Sequence, residues 1–229
     1  MKTIDHNFGE NILIYEGAIV PESSQIGPFS IIYPGVEFEE NVKIGSSCII
    51  GKKPTTGSNQ TKLLEFTETL RIRKNTIICD QVIIYTGCNI GEDCYLADKA
   101  FIRENVNIER NVVIGTAVTV SFNAHIGSGT KIMTGTNIGG KMKIGQNCFI
   151  GAHVCSVNDN NPRLNTSRSE HQAAIIEDNV VIGSNVTILP HLLIRKGITV
   201  AAGSVVSKNL TEENQLYFGI PAKIKNKNL

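Results

Sequence analysis

Tryptophan is absent from this chain, and aromatic residues make up only 6% of it. That excludes a core organised around large rings. No apolar run is long enough to span a bilayer, and the opening MKTIDHNFGENILIYEG lacks the apolar stretch of a signal peptide. The expectation is a soluble, cytoplasmic chain. Charge is nearly balanced, with a formal net charge of +1 at pH 7, and no basic stripe is interleaved with aromatics. Nucleic-acid binding is therefore not expected. The six cysteines show no CxxC or similar spacing, so neither a metal nor disulfides are expected.

What is present is a beat of six. Ile72, Ile78, Ile84, Ile90, Leu96, Ile102, Ile108, Ile114, Val120, Ile126, Ile132, Ile138, Ile144 and Ile150 follow one another without a miss. Four places after each comes a small or apolar residue, among them Thr76, Cys88, Ala100, Thr130, Thr136 and Cys148. A helix would repeat at three and four, and a free strand at two. Two inward positions followed by a four-residue step describe short strands joined by tight corners, the signature of a β-solenoid. The same beat opens the chain from Ile14 to Ile50 and closes it from Ile176 to Val206. Three places after most beat residues stands Gly, Asn or Asp, as at Gly35, Asn105, Asn123 and Gly203. These types tolerate the positive φ of a sharp corner. His153 and His191 occupy the same slot.

Two strands per turn would leave the core too thin for Ile against Ile, so three are expected, giving a period of eighteen. The fold class is all-β: a parallel β-helix of about nine triangular coils, each rising roughly 4.8 Å. One domain, 1–229, carries insert loops at about 51–71 and 157–174 and a C-terminal tail at 211–229. Tracking the phase through both breaks makes the two loops leave the prism along one edge. Loops this long are usually functional or disordered. Outward positions stacked on that edge include Tyr85, Arg103, Glu104, Phe122, Asn123, His125, Asn158 and Asp159, the converging polar groups a binding site needs. The preceding edge carries Gly115, Gly151, Gly183, Ser184, Ala201 and Ala202, which predicts a smooth groove with accessible backbone amides.

The phrases VIGSNVTILPHLLIRKGITVAAGSVVSKNL and YFGIPAKI resemble the ending of the hexapeptide-repeat acyltransferases, the left-handed parallel β-helix family. TGTNIGGKMKIGQNCFIGAHVCSVNDNNPR resembles the subgroup that N-acylates amino sugars carried on a nucleotide diphosphate. The resemblance implies a left-handed coil, a homotrimer, and acetyl-CoA in a cleft between subunits. The chain departs from the family pattern at Ser121 and Phe122, where several relatives carry an acidic residue and a His, and at His191, where Gly is usual.

Acyl transfer needs an uncharged amine beside the thioester carbonyl, oxyanion donors and a destination for a proton. His125 is the candidate general base; in the rival route the departing CoA sulfur takes the proton and no base is required. Asn158 and Asp159 are expected to bind the sugar, with Asp98, Glu104 and Asn123 as further candidates and Tyr85 stacking on a ring. Backbone amides near Gly139 and Gly151 are the expected oxyanion donors. CoA is expected along Gly183, Ser184, Ala201 and Ala202, with Lys208 or Lys223 near its phosphates. Three alternatives share the fold: O-acetylation of a sugar or small hydroxyl compound, a zinc carbonic-anhydrase-like site, and a non-catalytic β-helix.

Overall fold

The computed structural model describes residues 2–55, 57, 65–158 and 173–225. Among the described residues every regular element is a β-strand, most of them two residues long, and no helix is long and apolar enough to cross a membrane. The beat explains the short strands. In Asn107–Ile108, Val113–Ile114 and Thr119–Val120 the first residue faces outward and the second is buried. The chain then turns through a left-handed corner residue, with φ of 57° at Asn105, 57° at Asn111 and 55° at Asn123. The ladder imposes the same conformation on types that do not favour it, giving φ of 62° at Phe29, 55° at Ala117 and 64° at Lys141.

Strands of successive turns stack in parallel at the eighteen-residue interval: Asn89 against Asn107, Asn107 against His125, His125 against Lys143. Three sheets result, of ten, eight and eleven strands. They wrap a parallel solenoid of about ten turns, with Leu13–Ile14 at one end of its stack and Leu216–Phe218 near the end of another. An antiparallel bridge between Thr3 and Tyr15 adds to the first turn. At the far end Leu216–Phe218 pairs with Thr199–Val200, and Lys223–Ile224 returns antiparallel along it.

The core is a set of aliphatic columns. Ile84, Ile102, Val120 and Ile138 are fully buried in register, each worth roughly 1.5–3 kcal/mol. Three threonines at the second inward position are satisfied by the turn above. Thr76, Thr130 and Thr136 donate their hydroxyls to the carbonyls of Gly91, Gly145 and Gly151 at 2.8, 2.8 and 2.7 Å. Cys88 and Cys94 donate Sγ–H to the carbonyls of Arg103 and Glu109 at 3.0 Å. These cysteines stand in for threonine, and all six are free thiols.

Both breaks in the beat fall at one boundary. Ile49–Lys52 and Cys155–Ser156 belong to the ten-stranded sheet, and the chain re-enters at Leu70–Ile72 and Ile175–Ile176, both in the eight-stranded sheet. The boundary between those sheets is the loop edge.

Candidate active site on the loop edge

Along the loop edge, successive turns present Tyr85 and Thr86, Arg103 and Glu104, Ser121 and Phe122, Gly139 and Gly140, then Val157 and Asn158. Residues 65–68 lie across its lower part. Thr67 N donates to Asn105 Oδ1 at 3.1 Å, Asn105 Nδ2 donates to the Glu65 carbonyl at 2.8 Å, and Thr86 Oγ1 donates to the Glu68 carbonyl at 2.6 Å. Glu104 is only 1% exposed, not outward as the spacing suggested. Arg103 grips it with a two-pronged fork, Nε to Oε2 at 2.8 Å and Nη2 to Oε1 at 3.0 Å, the strong geometry for a carboxylate. Tyr85 is engaged by the protein itself. Lys52 Nζ lies 5.7 Å and Arg103 Cζ 5.5 Å from its ring centroid, and Phe101 packs edge-on at 5.5 Å. The ring stacks under cations of the neighbouring turns, an arrangement the sequence reading did not include.

Higher on the edge the backbone is stripped of side chains, and its neighbours use the space. A Cβ at Gly140 would meet the Phe122 ring at 2.6 Å, and a Cβ at Gly139 would collide with the Asn158 side-chain oxygen. Phe122 and Asn158 therefore lie directly against this glycine pair. Asn158 is exposed, as is the corner residue Asn123. Asp159 lies outside the described residues. The Gly139 amide, an expected oxyanion donor, gives its hydrogen to Ser156 Oγ at 2.6 Å.

His125 starts the strand that leaves the edge, on the outer face of the eight-stranded sheet. Asn89 Nδ2 donates to Asn107 Oδ1 at 2.9 Å, which turns the Asn107 nitrogen towards His125 Nδ1, also at 2.9 Å. His125 Nε2 lies 3.2 Å from Glu109 Oε1. With Asn107 as donor, Nδ1 accepts and Nε2 carries the proton to Glu109. Flipping the amide chain would put a proton on Nδ1 as well. Either way neither ring nitrogen keeps a free lone pair. The other oxygen of Glu109 accepts from Ser128 Oγ at 2.6 Å and Ser128 N at 3.0 Å. The Ser128 hydroxyl, with His125 adding to it, holds the Glu109 carboxyl below the usual carboxylate range.

The remaining candidates lie elsewhere. Asp98 is on the preceding boundary, between the eleven- and ten-stranded sheets, where its Oδ1 accepts from Asp80 N at 3.0 Å. Gly151, Gly183, Ser184, Ala201 and Ala202 line that same boundary, where three of the five amides serve as rungs between turns. Gly151 N donates to the Ile182 carbonyl, Gly183 N to Val200 and Ala201 N to Tyr217, each at 2.8 Å. A Cβ at Gly151 would come within 2.6 Å of Ser184 N, so glycine there answers to packing between turns. Lys223 pairs with Phe218 at the end of the eleven-stranded sheet beside this boundary. Lys208 follows the last strand of the ten-stranded sheet and so falls on the loop edge, as does His191. Among the described residues no group of three His, Cys, Asp or Glu is arranged to hold a metal ion.

Residues 141–157 and 173–208 match the family model described as hexapeptide repeat of succinyl-transferase. The beat of six runs through both matched stretches. The chain is 38% identical over 79 residues to the bifunctional protein GlmU of Buchnera aphidicola, covering 34% of this chain and 16% of that protein. Over 55 residues it is 44% identical to WbbJ of Escherichia coli K12, named for lipopolysaccharide biosynthesis O-acetyl transfer, covering 24% of this chain and 28% of that one. The chain thus spans well under a third of either relative. Among solved structures, a hexapeptide-repeat containing acetyltransferase of Vibrio cholerae is 26% identical with a TM-score of 0.45, covering 51% of this chain and 70% of that chain.

Proposed function

We propose that this chain is a CoA-dependent acyltransferase that moves an acetyl or short acyl group to the amine of a nucleotide-linked amino sugar, a dTDP- or UDP-amino-deoxyhexose. The repeat matched to a succinyl-transferase family supports acyl transfer. The observation that carries the choice of acceptor is the engagement of both His125 nitrogens. An uncharged amine attacks a thioester without losing a proton first, whereas a hydroxyl needs a base in line. The amine adds to the carbonyl, the C–S bond breaks as the tetrahedral intermediate collapses, and the nitrogen's proton passes to the leaving sulfur.

In this reading Asn158, Asp159 and Asn123 hold the sugar, and the Arg103–Glu104 pair shapes the floor below them. CoA runs along the small-residue boundary, with Lys223 rather than Lys208 near its phosphates. The coil is left-handed. The eight-stranded face carries ion pairs, Arg71–Glu37 at 2.9 Å and Arg73–Glu39 at 2.6 Å, while the eleven-stranded face exposes Ile77, Tyr95, Phe149 and Val181. That contrast supports a homotrimer in which the apolar face meets another copy and the sites form between subunits. The product serves surface glycan synthesis, and the reaction belongs in the cytoplasm, where acyl-CoA and nucleotide sugars are made.

The second reading is O-acetyl transfer, favoured by the 44% identity to WbbJ. A thiol-release assay with acetyl-CoA separates the two. Amino sugars linked to dTDP or UDP should release CoA, and matched hydroxyl sugars should not. Release with hydroxyl acceptors alone would refute the amine reading.

A further inference from the structure

Ser156 interrupts a column that is otherwise aliphatic: Ile84, Ile102, Val120 and Ile138 precede it and Ile188 and Val206 follow, all fully buried. Its own residue exposure is 5%. Burying a hydroxyl where neighbouring turns bury a branched hydrocarbon forfeits apolar stabilisation, unless the hydroxyl has work to do. Both of its bonds are made. It accepts from Gly139 N at 2.6 Å and donates to the Asn137 carbonyl at 3.2 Å.

The first bond replaces a rung of the sheet. In neighbouring turns the residue after the beat donates to the main-chain carbonyl one turn on, as Arg103 N does to Val120 and Ser121 N does to Ile138. At Gly139 the side-chain hydroxyl takes that hydrogen instead, and register pairing between these strands is confined to Asn137 with Cys155. Beyond Ser156 the ladder resumes, Val157 N donating to the Ile188 carbonyl at 2.9 Å, and two residues after Ser156 the Asn158 side chain lies against the bare backbone of Gly139, the residue whose amide Ser156 takes.

We propose that Ser156 is a positioning residue that sets Asn158 for the acceptor; this rests on the acyltransferase reading above. The Ser156→Val variant tests it, because Val suits the column and lets Gly139 N return to the main-chain carbonyl. The Ser156→Thr variant keeps the hydroxyl. Steady-state kinetics with acetyl-CoA and the best amino-sugar nucleotide should show KM for the acceptor rising about tenfold in the Val variant, the worth of one hydrogen bond. KM for acetyl-CoA should stay within about twofold, thermal stability should be equal or higher, and Thr should restore the acceptor KM. An unchanged acceptor KM in the Val variant, a rise in both KM values together, or failure of a folded Thr variant to restore would overturn the proposal. If wild-type protein releases no CoA with any amino sugar, the acyltransferase reading itself falls, and Ser156 loses its role with it.

Discussion

Replacing His125 by Ala bears most directly on the proton route. The imidazole is held by Asn107 Nδ2 at 2.9 Å and Glu109 Oε1 at 3.2 Å, with its side chain 40% exposed. Losing two such contacts near solvent should cost about 1 kcal/mol, a fall in Tm of about 2–4 °C for a chain of this size. Removing a general base typically lowers kcat by about 10²–10⁴-fold. With neither nitrogen free to take a proton, His125→Ala should instead leave kcat within about threefold of wild type. The assay is CoA release under saturating acetyl-CoA and amino-sugar nucleotide, on protein shown to be folded by its melting curve. A drop of about a hundredfold or more, recovered by added imidazole, would refute the reasoning and return His125 to the role of base.

Four further outcomes follow from the packing. Burial pushes the thiols of Cys48 and Cys94 up to about 11 and that of Cys88 to about 12, and raises Cys148 as well. At pH 8 a thiol reagent should label the exposed Cys155 and the half-buried Cys79, and reach the other four only in denaturant; rapid labelling of all six would contradict the structure. Because these pKa values are raised on folding, their contribution to stability is complete below the ordinary thiol value of 9.0 and is lost as pH climbs from there towards 11 or 12; a pH series of melting temperatures should fall across that window. Gly151→Val places a side chain against Ser184 N and should destabilise by about 1–3 kcal/mol, visible as an earlier urea midpoint; an unchanged midpoint would mean the turns are not packed this closely. Arg103→Met removes the fork on Glu104 and should cost about 1.5–3 kcal/mol, while a variant as stable as wild type would show that the pair contributes little.

The fold was legible because a solenoid repeats its instructions. Ile84 and Ile102 announce one column, Asn105 and Asn123 announce the corners, and counting by eighteen through both breaks brings the two excursions to one edge. The same counting would have found Asn107 beneath His125, and it shows Ser156 as the polar member of an aliphatic column. Glu104 could not be read this way. It is buried at a position the period marks as outward, and the repeat carries no sign of what covers an outer face. The glycine column was legible only in part. Gly151 and Gly183 do stack as the spacing indicates, but their amides are rungs between turns, and composition alone does not distinguish a bare groove from a close approach of two backbones. Lys208 and Ala201 are close in sequence, but the strand Val205–Val206 separates them and each strand moves the chain to the next face.

The most direct test of the central claim is the chemistry of the product. Mass spectrometry of the nucleotide sugar after reaction with acetyl-CoA should show one added acetyl group that survives mild alkali, as an amide does. An acetyl group released by that treatment would mark an ester, and would contradict transfer to the amine.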